Sequence, residues 1–134
     1  MIDPARLLAA AAAARRSAYA PYSTFTVGAA LLGRDGRIHT GANVENASYG
    51  LSMCAERAAI FAAVTAGARQ FDAIAVAGPD GVTTLPCGAC RQVLFEFAPQ
   101  LRVIYATAGA PKQTTLAELL PHAFGPAVLR EAAT

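Results

Sequence analysis

TTLPCGACRQVLFEF, residues 83–97, is the stretch on which the reading of this chain of 134 residues turns. A proline precedes one cysteine, a second cysteine follows three positions later, and residues 87–98 then read as a helix stopped by Pro99. Immediately upstream, FDAIAVAG (residues 71–78) is a continuous apolar run, the pattern of a strand covered on both faces. Immediately downstream, LRVIYAT (residues 101–107) reads as another strand. Strand, helix and strand in that order are the repeating unit of a layered α/β fold.

Working outward, Asp3 and Pro4 supply an N-cap and a proline suited to the first helical position, so a helix is expected over residues 4–19. APYS breaks it. FTVGAALLG (residues 25–33) places Phe25, Val27, Ala29 and Leu31 on one face of a strand. Asp35-Gly36 signals a hairpin into IHTGANV, residues 38–44. MCAERAAIFAAVTAG (residues 53–67) reads as a second long helix with Gly67 as its stop. In the tail, a short fifth strand is expected near residues 113–116, with a helical turn after it. Together these elements predict one α/β domain over residues 1–134, layered around a mixed sheet.

The composition, 54% hydrophobic and 15% charged, leaves little polar surface, so apolar faces buried between subunits are expected. A net charge of +2 without runs argues against an extended nucleic-acid stripe. LLAAAAAA (residues 7–14) falls short of the roughly 20 apolar residues a bilayer needs, and it lacks a basic leader, so neither a membrane span nor a signal peptide is expected. Three cysteines, two of them in a CxxC pair, do not make a secreted disulfide framework; a cytoplasmic protein with reduced thiols is the expectation.

The third thiol, Cys54, opens the second long helix as Cys87 and Cys90 open the third. In a strand–helix fold two such helix starts can meet at one edge of the sheet, bringing the three sulfurs together. The positive end of a helix favours thiolate, and thiolates are good ligands for Zn²⁺. Three protein ligands leave a fourth position for water, the usual difference between a catalytic and a structural zinc. Three thiolates around one Zn²⁺ carry a net negative charge, which a cation should offset; Arg57, three residues after Cys54, is favoured over Arg91 for hydrogen-bonding the sulfurs. Glu56 is suited to carry protons. On a regular helix it would point about 200° away from Cys54, so it can share the site only if the substrate sits off the helix end.

With those residues in place, CAE followed by PCGAC resembles the zinc-dependent nucleoside and base deaminases. Together with YAPYSTFTVGAALL, GANVENASYG and CRQVLFEF, it makes the chain similar, over roughly residues 16–124, to the family of small homotetrameric cytidine deaminases. The resemblance implies a three-layer α/β/α architecture with a mixed five-stranded sheet, and hydrolytic deamination of cytidine and 2′-deoxycytidine in pyrimidine salvage. It implies one zinc per subunit on Cys54, Cys87 and Cys90, with Glu56 as the proton carrier and Arg57 beside the sulfurs. The Ala55 N–H is then placed on the base carbonyl and the Leu85 carbonyl near the leaving amine. Asn43 and Glu45 are placed on the ribose, with Phe25 against the base. Phe124, and with it Tyr49, is implied to reach into a neighbouring subunit's pocket.

Two other readings compete. A non-catalytic zinc-stapled interaction module would need a fourth protein ligand, His39 or His122. A related deaminase could instead act on an aminonucleoside antibiotic of the blasticidin S type, or on a base within a nucleic acid, though the small size and modest charge disfavour the last of these.

Overall fold

The apolar runs of the sequence assemble into a mixed sheet in the computed structural model, which describes residues 2–133. The strands are β1 (Gly28–Gly33), β2 (Ile38–Ala42), β3 (Phe71–Ala77), β4 (Arg102–Thr107) and β5 (Ala110–Thr115), and the helices are α1 (Pro4–Ala14), α2 (Ala55–Thr65), α3 (Gly88–Phe97), α4 (Leu116–Leu119) and α5 (Pro126–Ala133). The strand order is β2-β1-β3-β4-β5. β3 and β4, joined through α3, run parallel, and the remaining pairs are antiparallel.

Every residue of β1 is buried, because helices cover both faces of the sheet. Ala29 and Leu31 pack with Ala59, Ile60 and Leu94 of α2 and α3, whereas Ala30 and Leu32 pack with Leu7 and Ala11 of α1. The result is the three-layer α/β/α arrangement. Small residues set the layer spacing. A Cβ at Gly28 would lie 2.0 Å from the Ala11 carbonyl oxygen, and one at Gly41 would lie 2.5 Å from both the Ala55 carbonyl oxygen and the Ala59 nitrogen. The close approach of α1 to the sheet is made at Ala11, the fully buried member of its alanine run, over Gly28. No helix among the described residues is long and apolar enough to cross a membrane.

Several boundaries differ from the sequence expectations, each for a local reason. α1 ends at Ala14 and tightens into a 3-10 turn over Arg15–Ser17, where the Arg15 Nε donates to the Thr26 carbonyl at 3.1 Å. Phe25 lies outside the ladder that begins at Gly28 and is 40% exposed, so it is not the first inward residue of a core strand. β5 starts at Ala110, earlier than expected, because Ala108 (φ 50°) and Gly109 (φ 81°) form a two-residue turn that folds β5 back on β4. α5 has no counterpart in the sequence expectations; Gly125-Pro126 ahead of strong helix formers is its local signal.

Candidate active site

Cys54 and Cys87 are both N-cap residues, each with an extended backbone (ψ 153° and 169°), and Cys90 follows in the first turn of α3. N-caps normally carry Ser, Thr, Asp or Asn, whose oxygen bonds the exposed N–H groups. Neither cysteine makes a capping hydrogen bond, so their sulfurs are left for something else. Because Cys54 precedes α2, the helical angle between positions 54 and 56 does not separate its side chain from that of Glu56.

The Sγ atoms of Cys54 and Cys87 are 3.8 Å apart and those of Cys87 and Cys90 3.5 Å apart, and all three lie within 4.8 Å of one another. Tetrahedral zinc with Zn–S bonds of about 2.3 Å requires sulfurs about 3.8 Å apart. No disulfide joins the three thiols, and the Cys54–Cys87 and Cys87–Cys90 pairs stand close to that spacing, so the donor set fits a zinc ion. Among the described residues no histidine or carboxylate joins the cluster, leaving the fourth corner to a ligand from outside the chain. The rival module with His39 or His122 as fourth ligand therefore loses its structural basis.

The cluster is also polarised. The Cys54 thiol is lowered to about 5, first because Cys90 hydrogen-bonds to it and then, against the opposing effect of burial, by Arg57 and Cys87. Cys90 is pushed strongly up by that same hydrogen bond and by burial. Arg57 sends its Nη2 to the Cys54 sulfur at 3.4 Å, as expected of a cation beside thiolates, and that contact holds the guanidinium still more firmly charged. Arg91 has a different task. Its Nε donates to the Pro86 carbonyl at 2.7 Å and its Nη1 to the Leu119 carbonyl at 2.9 Å, bracing the loop that delivers Cys87.

Glu56, 4% exposed, is the buried charged side chain of the described core. Burial raises its carboxyl to about 7, opposed by a hydrogen bond to its own backbone and assisted by the nearby Cys54. Ala55 is fully buried at the first position of α2, where a helix provides no internal acceptor for the N–H.

A second group of residues gathers around Asn43–Val44–Glu45. Val44 bridges to Met53, whose N–H donates to the Val44 carbonyl at 2.8 Å, so this segment lies alongside the residue before Cys54. Asn43 accepts from the Val27 N–H at 2.8 Å and donates through Nδ2 to the Phe25 carbonyl at 2.8 Å. Glu45 accepts from the Tyr22 and Ser23 N–H groups, at 3.0 and 3.1 Å, and from the Ser23 hydroxyl. A carboxylate offers about four acceptor positions, so Glu45 keeps about one in reserve; Asn43 keeps one Nδ2 donor and one Oδ1 lone pair. Phe124 is not drawn into the cysteine cluster: it is 59% exposed, and its carbonyl accepts from Gln92 Nε2 at 2.8 Å. Tyr49, 75% exposed, meets Tyr22 ring to ring at 6.0 Å.

A Cys₃ centre at two helix starts, with a buried glutamate next to one ligand, defines a zinc hydrolase of the deaminase class. The family model described as "Cytidine and deoxycytidylate deaminase zinc-binding region" matches residues 1–107, and the chain belongs to that family. It is 48% identical over 125 residues to the cytidine deaminase of Sporosarcina psychrophila, covering 92% of each chain. It is 49% identical over 125 residues to that of Halalkalibacterium halodurans, covering 92% of this chain and 95% of the other. Among solved structures, the cytidine deaminase from Burkholderia pseudomallei superposes with a TM-score of 0.87 at 51% identity, over 92% of this chain and all (100%) of that one. The cytidine deaminase from Mycobacterium tuberculosis gives 0.83 at 44% identity, over 93% and 99%.

Proposed function

We propose that this chain, folded as one domain, hydrolyses the exocyclic amine of cytidine and 2′-deoxycytidine, consuming water and releasing ammonia with uridine or 2′-deoxyuridine. The observation that carries the proposal is three sulfurs at tetrahedral spacing beside a buried glutamate. Cys54, Cys87 and Cys90 hold the zinc, which when bound supplies a water whose pKa falls towards about 7.

The chain's own residues do the rest. Glu56 delivers a proton to N3 of the base, making C4 electrophilic, and then carries one to the departing amine. Its burial keeps the carboxyl from being levelled by bulk solvent. The Ala55 N–H holds the base carbonyl, and the Leu85 carbonyl, fixed extended by Pro86, lies near the leaving amine. Asn43 and Glu45 use their spare donor and acceptor on the ribose 3′-hydroxyl, which leaves the 2′ position unread. Phe25 packs against the base. Arg57 offsets the charge of the sulfurs.

The assembly is a homotetramer acting in cytoplasmic pyrimidine salvage on a small nucleoside, without nucleic-acid or membrane partners. Exposed Tyr22, Tyr49, Leu51, Phe124 and Leu129 support burial against other copies, with Phe124 and Tyr49 completing a neighbour's site. Ammonia release measured with cytidine, deoxycytidine, cytosine, adenosine and blasticidin S, alongside metal analysis and light scattering, tests the reading. Turnover of blasticidin S without turnover of cytidine would replace the substrate while leaving the chemistry. A fully active monomer would remove the roles given to Phe124 and Tyr49.

A further inference from the structure

Phe25 is 40% exposed and belongs to neither core cluster, yet its backbone is fastened at both polar ends. Its carbonyl accepts from Asn43 Nδ2 at 2.8 Å and its N–H donates to the Ser23 hydroxyl at 3.0 Å. The direction of the proton at Ser23 is settled by chemistry. A backbone N–H can only donate and a carboxylate can only accept, so the hydroxyl receives from Phe25 and gives its own proton to Glu45 Oε2. Between Ser23 and Phe25 the chain passes through Thr24 at φ 59°, a left-handed conformation that a β-branched residue adopts at a cost and only where its surroundings impose it. Hydrogen bonds impose it here: Thr24 N–H to the Ala20 carbonyl at 3.0 Å, Thr24 Oγ1 to the Ser23 carbonyl at 2.6 Å, and the three bonds from Tyr22 and Ser23 to Glu45.

We propose that Ser23 is a positioning residue for nucleoside recognition, its hydroxyl linking the Glu45 carboxylate to the backbone that presents Phe25. The proposal rests on the roles given above to Glu45 and Phe25, and it adds a residue that neither touches the metal ligands nor reaches the reacting atoms. Because the Glu45 oxygens that hold the loop belong to the carboxylate that receives the sugar, binding at the ribose end also fixes the aromatic wall at the base end. Loss of the hydroxyl leaves two solvent-accessible groups that water can satisfy. Folding is then little affected, while the ordering of Phe25 falls on the substrate.

The test uses the full-length zinc-loaded chain and the variants Ser23→Ala, Ser23→Thr, Phe25→Ala and the double variant of Ser23→Ala with Phe25→Ala. Ser23→Ala should raise KM for cytidine about tenfold, with kcat held within about threefold, the pattern of lost binding rather than lost chemistry. Ser23→Thr, which keeps the hydroxyl, should restore KM. Added to Phe25→Ala, the serine change should alter KM by less than about twofold, because the two act as one unit. Amide exchange at Phe25, which needs no substrate, should accelerate in Ser23→Ala alone of the two serine variants. An unchanged KM or an unchanged Phe25 exchange rate in Ser23→Ala overturns the proposal, as does a full tenfold effect in the Phe25→Ala background. If the unaltered chain fails to deaminate cytidine, the functional reading fails, and the exchange rate still decides whether the link exists.

Discussion

Gly41→Ala should damage catalysis out of proportion to the one methyl group it adds. In β2, a Cβ at position 41 would stand 2.5 Å from the Ala55 carbonyl oxygen and 2.5 Å from the Ala59 nitrogen. Both are helix backbone atoms and cannot rotate aside. Ordinary contact begins near 3.4 Å, so α2 must retreat from the sheet by about 0.9 Å. Ala55 sits between Cys54 and Glu56, so the retreat carries one thiol of the cluster and the carboxyl proposed to move protons together, while Cys87 and Cys90 stay with α3. Overpacking of this kind costs about 1–3 kcal/mol of stability, and a misplacement of about 1 Å at reacting groups costs about a hundredfold in rate. The control lies on the opposite face. Gly28→Ala meets the Ala11 carbonyl oxygen at 2.0 Å, so it should destabilise at least as much, but it displaces α1, which carries no site residue. Thermal unfolding, zinc content and kcat/KM for cytidine, expressed per folded molecule, separate the two. The reasoning is refuted if Gly41→Ala retains full kcat/KM, or if Gly28→Ala lowers kcat/KM per folded, zinc-loaded molecule as much as Gly41→Ala does.

Glu56→Gln should keep one zinc per chain and a native melting profile, yet lose about 10²–10⁴-fold in kcat, checked by steady-state ammonia release. Arg91→Ala removes two hydrogen bonds from a charged donor to the Pro86 and Leu119 carbonyls and should cost about 1.5–3 kcal/mol in denaturant unfolding. Lysine should rescue it only in part, since its single ammonium cannot reproduce the fixed fork of the guanidinium. The Glu45 carboxyl is held below its ordinary 4.5, chiefly by the Ser23 hydroxyl, with the Ser23 and Tyr22 N–H groups assisting against the opposing effect of burial. A depressed acid stabilises its loop in full above that ordinary value and loses the contribution as pH falls through the lower folded value. The Tyr22 and Ser23 amide shifts should therefore stay flat from neutral pH down past 4.5 and titrate below it, and Glu45→Gln should abolish that transition.

The parts of the fold that were legible in the sequence are those where one local signal met no competitor. Residues 71–78 read as a doubly covered strand because apolarity without alternation has few other uses, and α3 read correctly because CxxC, a helical pattern and Pro99 agree. The start of β5 is not legible in the sequence because its turn uses Ala108 at positive φ, a position where sequence rules look for glycine or asparagine. α1 is shorter than the pattern suggests because the helix tightens into a 3-10 turn over Arg15–Ser17, where the Arg15 side chain bonds Thr26, eleven residues on, before Ala18 turns extended. The thiols announced the metal through their positions at helix starts, but the convergence of Cys54 with Cys87 required the packing of α2 against α3. The anchoring of the backbone from Tyr22 to Val27 by Asn43 and Glu45 is likewise tertiary; the sequence shows only two polar side chains on one side of an extended segment.

Zinc K-edge X-ray absorption on the purified, active protein tests the central claim most directly. The account predicts three sulfurs at about 2.3 Å and one oxygen at about 2.0 Å that exchanges for a ligand atom when an inhibitor binds. A fourth ligand contributed by a side chain, or full turnover by protein from which the metal has been stripped, would contradict it.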